Sequence, residues 1–252
     1  MRPKFLCQKT ELGPHVGRFH RGTLVLQHLT YLDSLLLNRP KEVLRRLLAP
    51  LLYRYPPCSL QPERLYRWLH AVIETRETHG AVVEIGCMLG GTAAITKRMM
   101  DNLGIKKRYV CIDTFDGFVA EQFDADVTLG TPKHDKRKFS GSSPQLVTKV
   151  LNQHHCFDVE LIQADITCVN EDDLPEACSL VLADVDLVEP TYAALAKFWP
   201  RISPGGMILV DDCPEATSWK ARLAYARFCN ERSIPERYDY GFGVLVKGIN
   251  GQ

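Results

Sequence analysis

From about residue 80 onward, short apolar runs alternate with longer stretches of helical spacing. The first run, Ala81 to Ile85, is short enough for a buried strand and ends in Glu84-Ile85-Gly86. Gly90, Gly91 and Thr92 follow, then a helix-like run from Ala93 to Leu103. Arg108 to Ile112 reads as a second strand ending at Asp113, and Phe157 to Gln163 as a third ending near Asp165. Leu180 to Ala183 reads as a fourth ending at Asp184, and Met207 to Val210 as a fifth, opened by Pro204-Gly205-Gly206 and closed by Asp211-Asp212. Helices are predicted between them: Ser142-Ser143-Pro144 to about Gln153, Glu189 to Trp199, and about Ser218 to Arg232. Two short segments, near Tyr238 and from Phe242 to Lys247, fit a closing antiparallel hairpin. This alternation predicts an α/β fold with a doubly wound, mainly parallel, seven-stranded Rossmann-like sheet.

Before the first strand the pattern is helical. Residues 1–23 have weak periodicity and read as an arm. Leu24 to Leu37 places Leu24, Leu26, Leu29, Leu32, Leu35 and Leu36 at near-helical spacing, and Asn38-Arg39-Pro40 breaks it. Lys41 to Tyr53 is leucine-rich with interspersed basic residues, a pattern of helix packing on the domain or on a second subunit; Pro50 and the few basic positions argue against a membrane-surface helix. After Pro56-Pro57, Ser59 is a candidate cap for a helix with Pro62 and Glu63 in its first turn, running to about Thr78. The expected division is an arm and helical extension over 1–60 and one catalytic domain over 61–252, with self-association through the N-terminal helices.

Composition narrows the function classes. The 252 residues are 45% hydrophobic with a net charge of +1, enough for a full core and without a global field for nucleic acid. The nine cysteines are scattered with no C-x-x-C pair, which fits core packing in a reducing cytoplasm better than a zinc site. No clean signal peptide is read at the N-terminus, and no apolar stretch is long enough to insert stably in a membrane.

The chemistry gathers at strand ends: Glu84, Asp113, Asp165, Asp184 and Asp211 each lie at or near one. Open parallel sheets bind ligands outside those ends. The first turn lacks the G-x-G-x-x-G spacing of a dinucleotide site and instead reads E-x-G-x-x-x-G-G-T. That pattern resembles class I S-adenosylmethionine-dependent methyltransferases. The resemblance implies cofactor contacts from Glu84, Gly86, Cys87, Met88, Gly90 and Thr92 in the first turn. It adds Asp113, Thr114 and Phe115 after the second strand, Asp165 and Ile166 after the third, and Asp184 after the fourth. Asp113 would accept from the ribose hydroxyls and Asp165 from the adenine amine. Asp184, Asp211 and Asp212 would bring three carboxylates together, and a hard divalent cation such as magnesium (Mg2+) relieves their repulsion.

Three further stretches are similar to the macrocin O-methyltransferase family. They are Asp113-Thr114-Phe115-Asp116-Gly117-Phe118, Asp184-Val185-Asp186-Leu187-Val188-Glu189-Pro190-Thr191, and Ser203-Pro204-Gly205-Gly206 through Val210-Asp211-Asp212. By that resemblance the metal ligands fall on Asp184, Asp211 and Asp212, and the reaction is methylation of a hydroxyl on a small molecule such as a sugar or natural product. Val185, Val188, Pro190 and Cys213 depart from the family pattern beside the metal. The segment from Thr114 to Gly141 has little periodicity and reads as a long loop or lid. Its basic run Lys133-His134-Asp135-Lys136-Arg137-Lys138 offers His134 as a general base on lid closure, with Asp184 as the other catalytic candidate. A metal-free N- or C-methyltransferase, or a cofactor-binding module without turnover, are the alternatives.

Overall fold

A computed structural model describes residues 39–214 and 219–248. The expected arm over 1–23, the helix from Leu24 to Leu37 and the helix start at Ser218 lie outside the described residues. Helix α1 spans 39–52, running through Pro50, where the sequence predicts an interruption. Helix α2 is Pro62–Glu74, followed by β1 (Ala81–Ile85), α3 (Gly91–Asn102), β2 (Tyr109–Asp113), α4 (Ala120–Thr128), α5 (Pro144–Gln153) and β3 (Val159–Gln163). Then come β4 (Cys178–Ala183), α6 (Val188–Phe198), β5 (Ile202–Val210), α7 (Lys220–Glu231), β6 (Tyr238–Asp239) and β7 (Phe242–Val246).

The seven strands form one sheet in the order β3-β2-β1-β4-β5-β7-β6. β1 to β5 run parallel; β7 pairs antiparallel with β5, and β6 antiparallel with β7. The chain winds outward in both directions from β1. The crevice therefore opens beyond the carboxyl ends of β1, β2 and β4.

Period-two alternation assigns each strand residue to one of two cores. Ala81, Val83 and Ile85 face one side, where Leu195 and Phe198 of α6 and Tyr225 and Phe228 of α7 cover them. Val82 faces the other, against Trp68 of α2, Met100 of α3 and Val147 and Leu151 of α5. Burying each of Val82, Val83 and Ile85 contributes about 1.5–3 kcal/mol, and all five β1 positions are buried, Glu84 among them. α1 docks on the outer side of α5 through Ala49, Tyr53, Leu146 and Val150, reaching Leu89 of the first turn. The Arg45 guanidinium also donates to the Gly141 carbonyl at 2.9 Å.

Several boundaries differ from the sequence reading, each for a local reason. α2 starts at Pro62 with Gln61 in the capping position, because Pro62 sets the first helical φ; Ser59 makes no cap. β5 begins at Ile202, since a bulge absorbs Pro204-Gly205: Cys178 pairs with Ile202 but Leu180 with Met207. The expected loop between Thr114 and Gly141 contains α4 and a short 3-10 helix, Lys133–Arg137. α4 is held from its buried side, where the Asp126 carboxylate accepts from the Val188 N–H at the start of α6, 3.1 Å.

Candidate active site

A cleft enclosing about 1070 Å³, including the space at its open mouth, lies over the carboxyl ends of β1, β2, β3, β4 and β5. That is room for a nucleoside-sized cofactor and a small acceptor. Four non-glycine residues that line the cleft hold left-handed backbone angles: Met88 (φ 51°), Phe139 (φ 64°), Asp186 (φ 61°) and Asp212 (φ 54°). Non-glycine residues in that region carry strain, and its concentration around one cleft marks a functional site.

At the turn after β1, Gly86 has φ 91°, and its N–H donates to the Ile112 carbonyl at 2.9 Å. A Cβ there would sit 1.7 Å from the Asp184 carbonyl oxygen, so only glycine lets β1 and β4 close together at this turn. Asp113 ties two turns together. One carboxylate oxygen accepts from the Met88 N–H at 2.8 Å and the other from the Phe115 N–H at 2.7 Å. Burial raises its pKa and these amide bonds oppose the rise. The Thr114 hydroxyl lies 3.5 Å from the oxygen that Phe115 uses, and carboxylate lone pairs remain as acceptors for hydroxyls in the cleft. Asp165 accepts from the Thr167 N–H at 2.9 Å, the Thr167 hydroxyl at 2.8 Å and the Gln122 side-chain amide at 2.7 Å. Gln122 thereby fastens α4 to the turn after β3.

Gly86, Met88, Asp113, Thr114, Asp165, Ile166, Asp184, Asp211 and Asp212 all line the cleft. The other expected contacts support it from behind. The Glu84 carboxylate is turned into the core, where the Tyr109 hydroxyl donates to it at 2.7 Å. Cys87 is buried beside Cys111. A Cβ on Gly91 would meet the Pro57 carbonyl carbon at 2.2 Å, and one on Gly90 the Val147 side chain at 3.0 Å. Those two glycines make room for neighbouring chain rather than for ligand. Thr92 lies against Cys58, with its hydroxyl 3.5 Å from that sulfur. Phe115 contributes its amide and buries its ring.

Asp184, Asp186, Asp211 and Asp212 line the same cleft after β4 and β5. Burial pushes the Asp184 carboxyl well above its usual range, and the charges of Asp211, Asp186 and Asp212 add to the rise. Asp186 is raised for the same reasons, burial first and then Asp212. Asp211 is pushed up to about 6 by burial, which the Arg64 charge opposes. The sequence reading missed Arg64 and Asp186. Arg64, in the first turn of α2, donates from one guanidinium nitrogen to Asp211 Oδ1 at 2.8 Å and to Asp212 Oδ1 at 2.7 Å. Asp186 stands two residues after Asp184 in the same motif, and that spacing is the available signal.

Three carboxylates from two strand ends are the donor chemistry of a hard divalent cation, and in kind they fit magnesium. As they stand, no three His, Cys, Asp or Glu side chains among the described residues converge as a metal site. Two of the three are engaged by Arg64 instead.

His134 is not brought to the cleft. It sits on the 3-10 helix with its side chain 84% exposed and its Nε2 3.3 Å from Asp135 Oδ1. The roof is formed by other residues of that segment: Phe118, Val119, Gln122 and Phe139. Of the four departures from the family pattern, Val185 and Pro190 line the cleft, Val188 gives its N–H to Asp126, and Cys213 is buried. No helix among the described residues is long and apolar enough to cross a membrane.

Residues 63–240 match the macrocin O-methyltransferase (TylF) family. Two solved structures share the fold. The O-methyltransferase NovP is 17% identical with a TM-score of 0.62, over 74% of this chain and 80% of that one. The calicheamicin methyltransferase CalS11 is 19% identical with a TM-score of 0.61, over 95% of this chain and 99% of that one. No curated protein matches by sequence. The family match spans most of the chain and every element around the cleft, so the chain belongs to the macrocin O-methyltransferase family and is an S-adenosylmethionine-dependent methyltransferase.

Proposed function

We propose that this enzyme moves the methyl group of S-adenosylmethionine to a hydroxyl of a small sugar or natural-product acceptor, with magnesium held by Asp184, Asp211 and Asp212. The observation that carries this reading is the position of the acids. They follow β4 and β5 and line the same cleft as Gly86 and Asp113, so an acceptor bound in it beside the cofactor can meet carboxylates. A structure of CalS11 described as a TDP-rhamnose 3'-O-methyltransferase, 20% identical to this chain with a TM-score of 0.55, supports a sugar acceptor.

The chain's own work is alignment and proton handling. Asp113 receives the ribose hydroxyls and Asp165 the adenine end. The acceptor oxygen is then held in line with the methyl carbon and sulfur, where orientation supplies much of the rate. When bound, magnesium supplies Lewis acidity that lowers the pKa of the acceptor hydroxyl. Asp184 and Asp186 line the same cleft, and a carboxylate there in its ionised form would accept the proton of the acceptor hydroxyl. His134 would need its 3-10 segment to swing over the cleft to share that role. We place the enzyme in the cytoplasm as a homo-oligomer associated through its N-terminal helices; on α1, Leu44, Leu47 and Leu51 are 57%, 69% and 77% exposed.

The test is cation dependence. Protein stripped by chelator is assayed with S-adenosylmethionine and a panel of nucleotide sugars and glycosides. Transfer should vanish and return with added magnesium. Equal turnover in stripped and loaded protein overturns the metal assignment and favours metal-free transfer.

A further inference from the structure

Arg64 stands where the acid cluster most needs a positive charge. One of its guanidinium nitrogens reaches Asp211 Oδ1 and Asp212 Oδ1 together, at 2.8 and 2.7 Å. Its side chain is only 10% exposed. The surroundings fix it there. Pro62 starts α2 two residues earlier, the Trp219 ring lies 5.8 Å from the guanidinium carbon, and Gly241 passes so close that a Cβ would come within 3.1 Å of Arg64 Nε. A guanidinium and a divalent cation satisfy the same need of the same oxygens. Placed side by side in a poorly solvated cleft, they repel each other.

We propose that Arg64 is a resident cation in competition with the metal: it holds Asp211 and Asp212 in the metal-free site and gives them up when magnesium binds. This rests on the magnesium reading above. It also accounts for the donor set having the right chemistry while not converging on one point. A residue that merely oriented the ligands would have the opposite signature, because losing such support weakens metal binding about 10–100-fold. Arg64 instead makes the site selective for a cation strong enough to displace it, and it couples metal entry to the first turn of α2 and to Trp219.

Calorimetric titration of the full chain with magnesium chloride, with no acceptor present, tests this. Arg64→Met should bind magnesium about tenfold or more tightly than the parent, as expected on losing a neighbouring like charge. Arg64→Lys, which keeps the charge, should stay within a few-fold of the parent. Fluorescence gives a readout in the parent itself, so the test survives a misfolded Arg64 variant. Magnesium should change the emission of Trp219 as Arg64 leaves it, and the change should be absent in Trp219→Phe. Parent binding with equal or weaker binding in Arg64→Met overturns the competition and leaves the metal reading standing. So does magnesium saturation of the parent with no change at Trp219. No binding in either protein overturns both.

Discussion

The Tyr109 hydroxyl donates a 2.7 Å hydrogen bond to the Glu84 carboxyl, which is 2% exposed beneath the cofactor turn. The register explains the pair. Val82 lies opposite Tyr109 and Glu84 opposite Cys111, so both side chains emerge on the same face of the sheet. Burial pushes the Glu84 carboxyl from an ordinary 4.5 up to about 8, and the Tyr109 bond opposes the rise. In the folded chain the carboxyl keeps its proton to about pH 8; in the unfolded chain it releases it near 4.5. Between those values the folded state binds more protons, so stability falls as pH rises, by at most about 1.4 kcal/mol per pH unit from this group. Glu84→Gln removes that component. Its melting temperature should decline less than the parent's between pH 5 and pH 8, as thermal melts across that window will show; parallel curves would contradict the burial argument.

Gly86 is a test of the turn. Gly86→Ala places a methyl group 1.7 Å from the Asp184 carbonyl oxygen and forces an unfavourable φ. Destabilisation should exceed the roughly 1 kcal/mol of a mild backbone substitution, and binding of S-adenosylhomocysteine should be lost. Denaturant melts and calorimetry measure both, and parent-like values in either would mean that the turn yields without cost.

Asp113 serves two backbone amides and, in this account, the ribose. Asp113→Asn leaves one oxygen where two amide donors converge on separate oxygens. Hydrogen bonds to a charged acceptor contribute about 1.5–3 kcal/mol each, so affinity for S-adenosylhomocysteine should fall at least tenfold. An unchanged dissociation constant would remove Asp113 from the cofactor site.

The proton acceptor divides the two acids from the histidine. His134→Ala should change kcat by less than a few-fold, because the side chain is 84% exposed outside the cleft. Asp186→Asn should lower kcat about 10²-fold or more with cofactor affinity preserved. The reverse pattern in steady-state kinetics would restore the lid-closure role of His134.

How much of this was legible follows from the range of each signal. Ala81–Ile85 and the runs that became β2, β3 and β4 are short apolar segments, each ending at an acid, and the sheet followed from them. α4 escaped because its nine residues carry Glu121, Asp124 and Asp126, and nothing in the sequence shows that Gln122, Phe123 and Asp126 turn inward. The bulge at Pro204-Gly205 escaped because its cause lies on β4. Arg64 escaped because its partner Asp211 is 147 residues away, and a lone arginine in a first helical turn reads as solvated. Glu84 and Gly90 were read as ligand contacts because a motif records which residue is needed, not whether it faces the ligand or the core.

The most direct measurement of the central claim is to follow the methyl group itself. The enzyme is incubated with S-adenosylmethionine carrying a deuterated methyl, magnesium and a panel of hydroxyl-bearing glycosides and nucleotide sugars, and products are read by mass spectrometry and NMR. The account predicts that the label appears as a methoxy group on an acceptor and is absent with Asp113→Asn and with chelator. Label found on nitrogen or carbon, or tight cofactor binding with no labelled product across the panel, would contradict it.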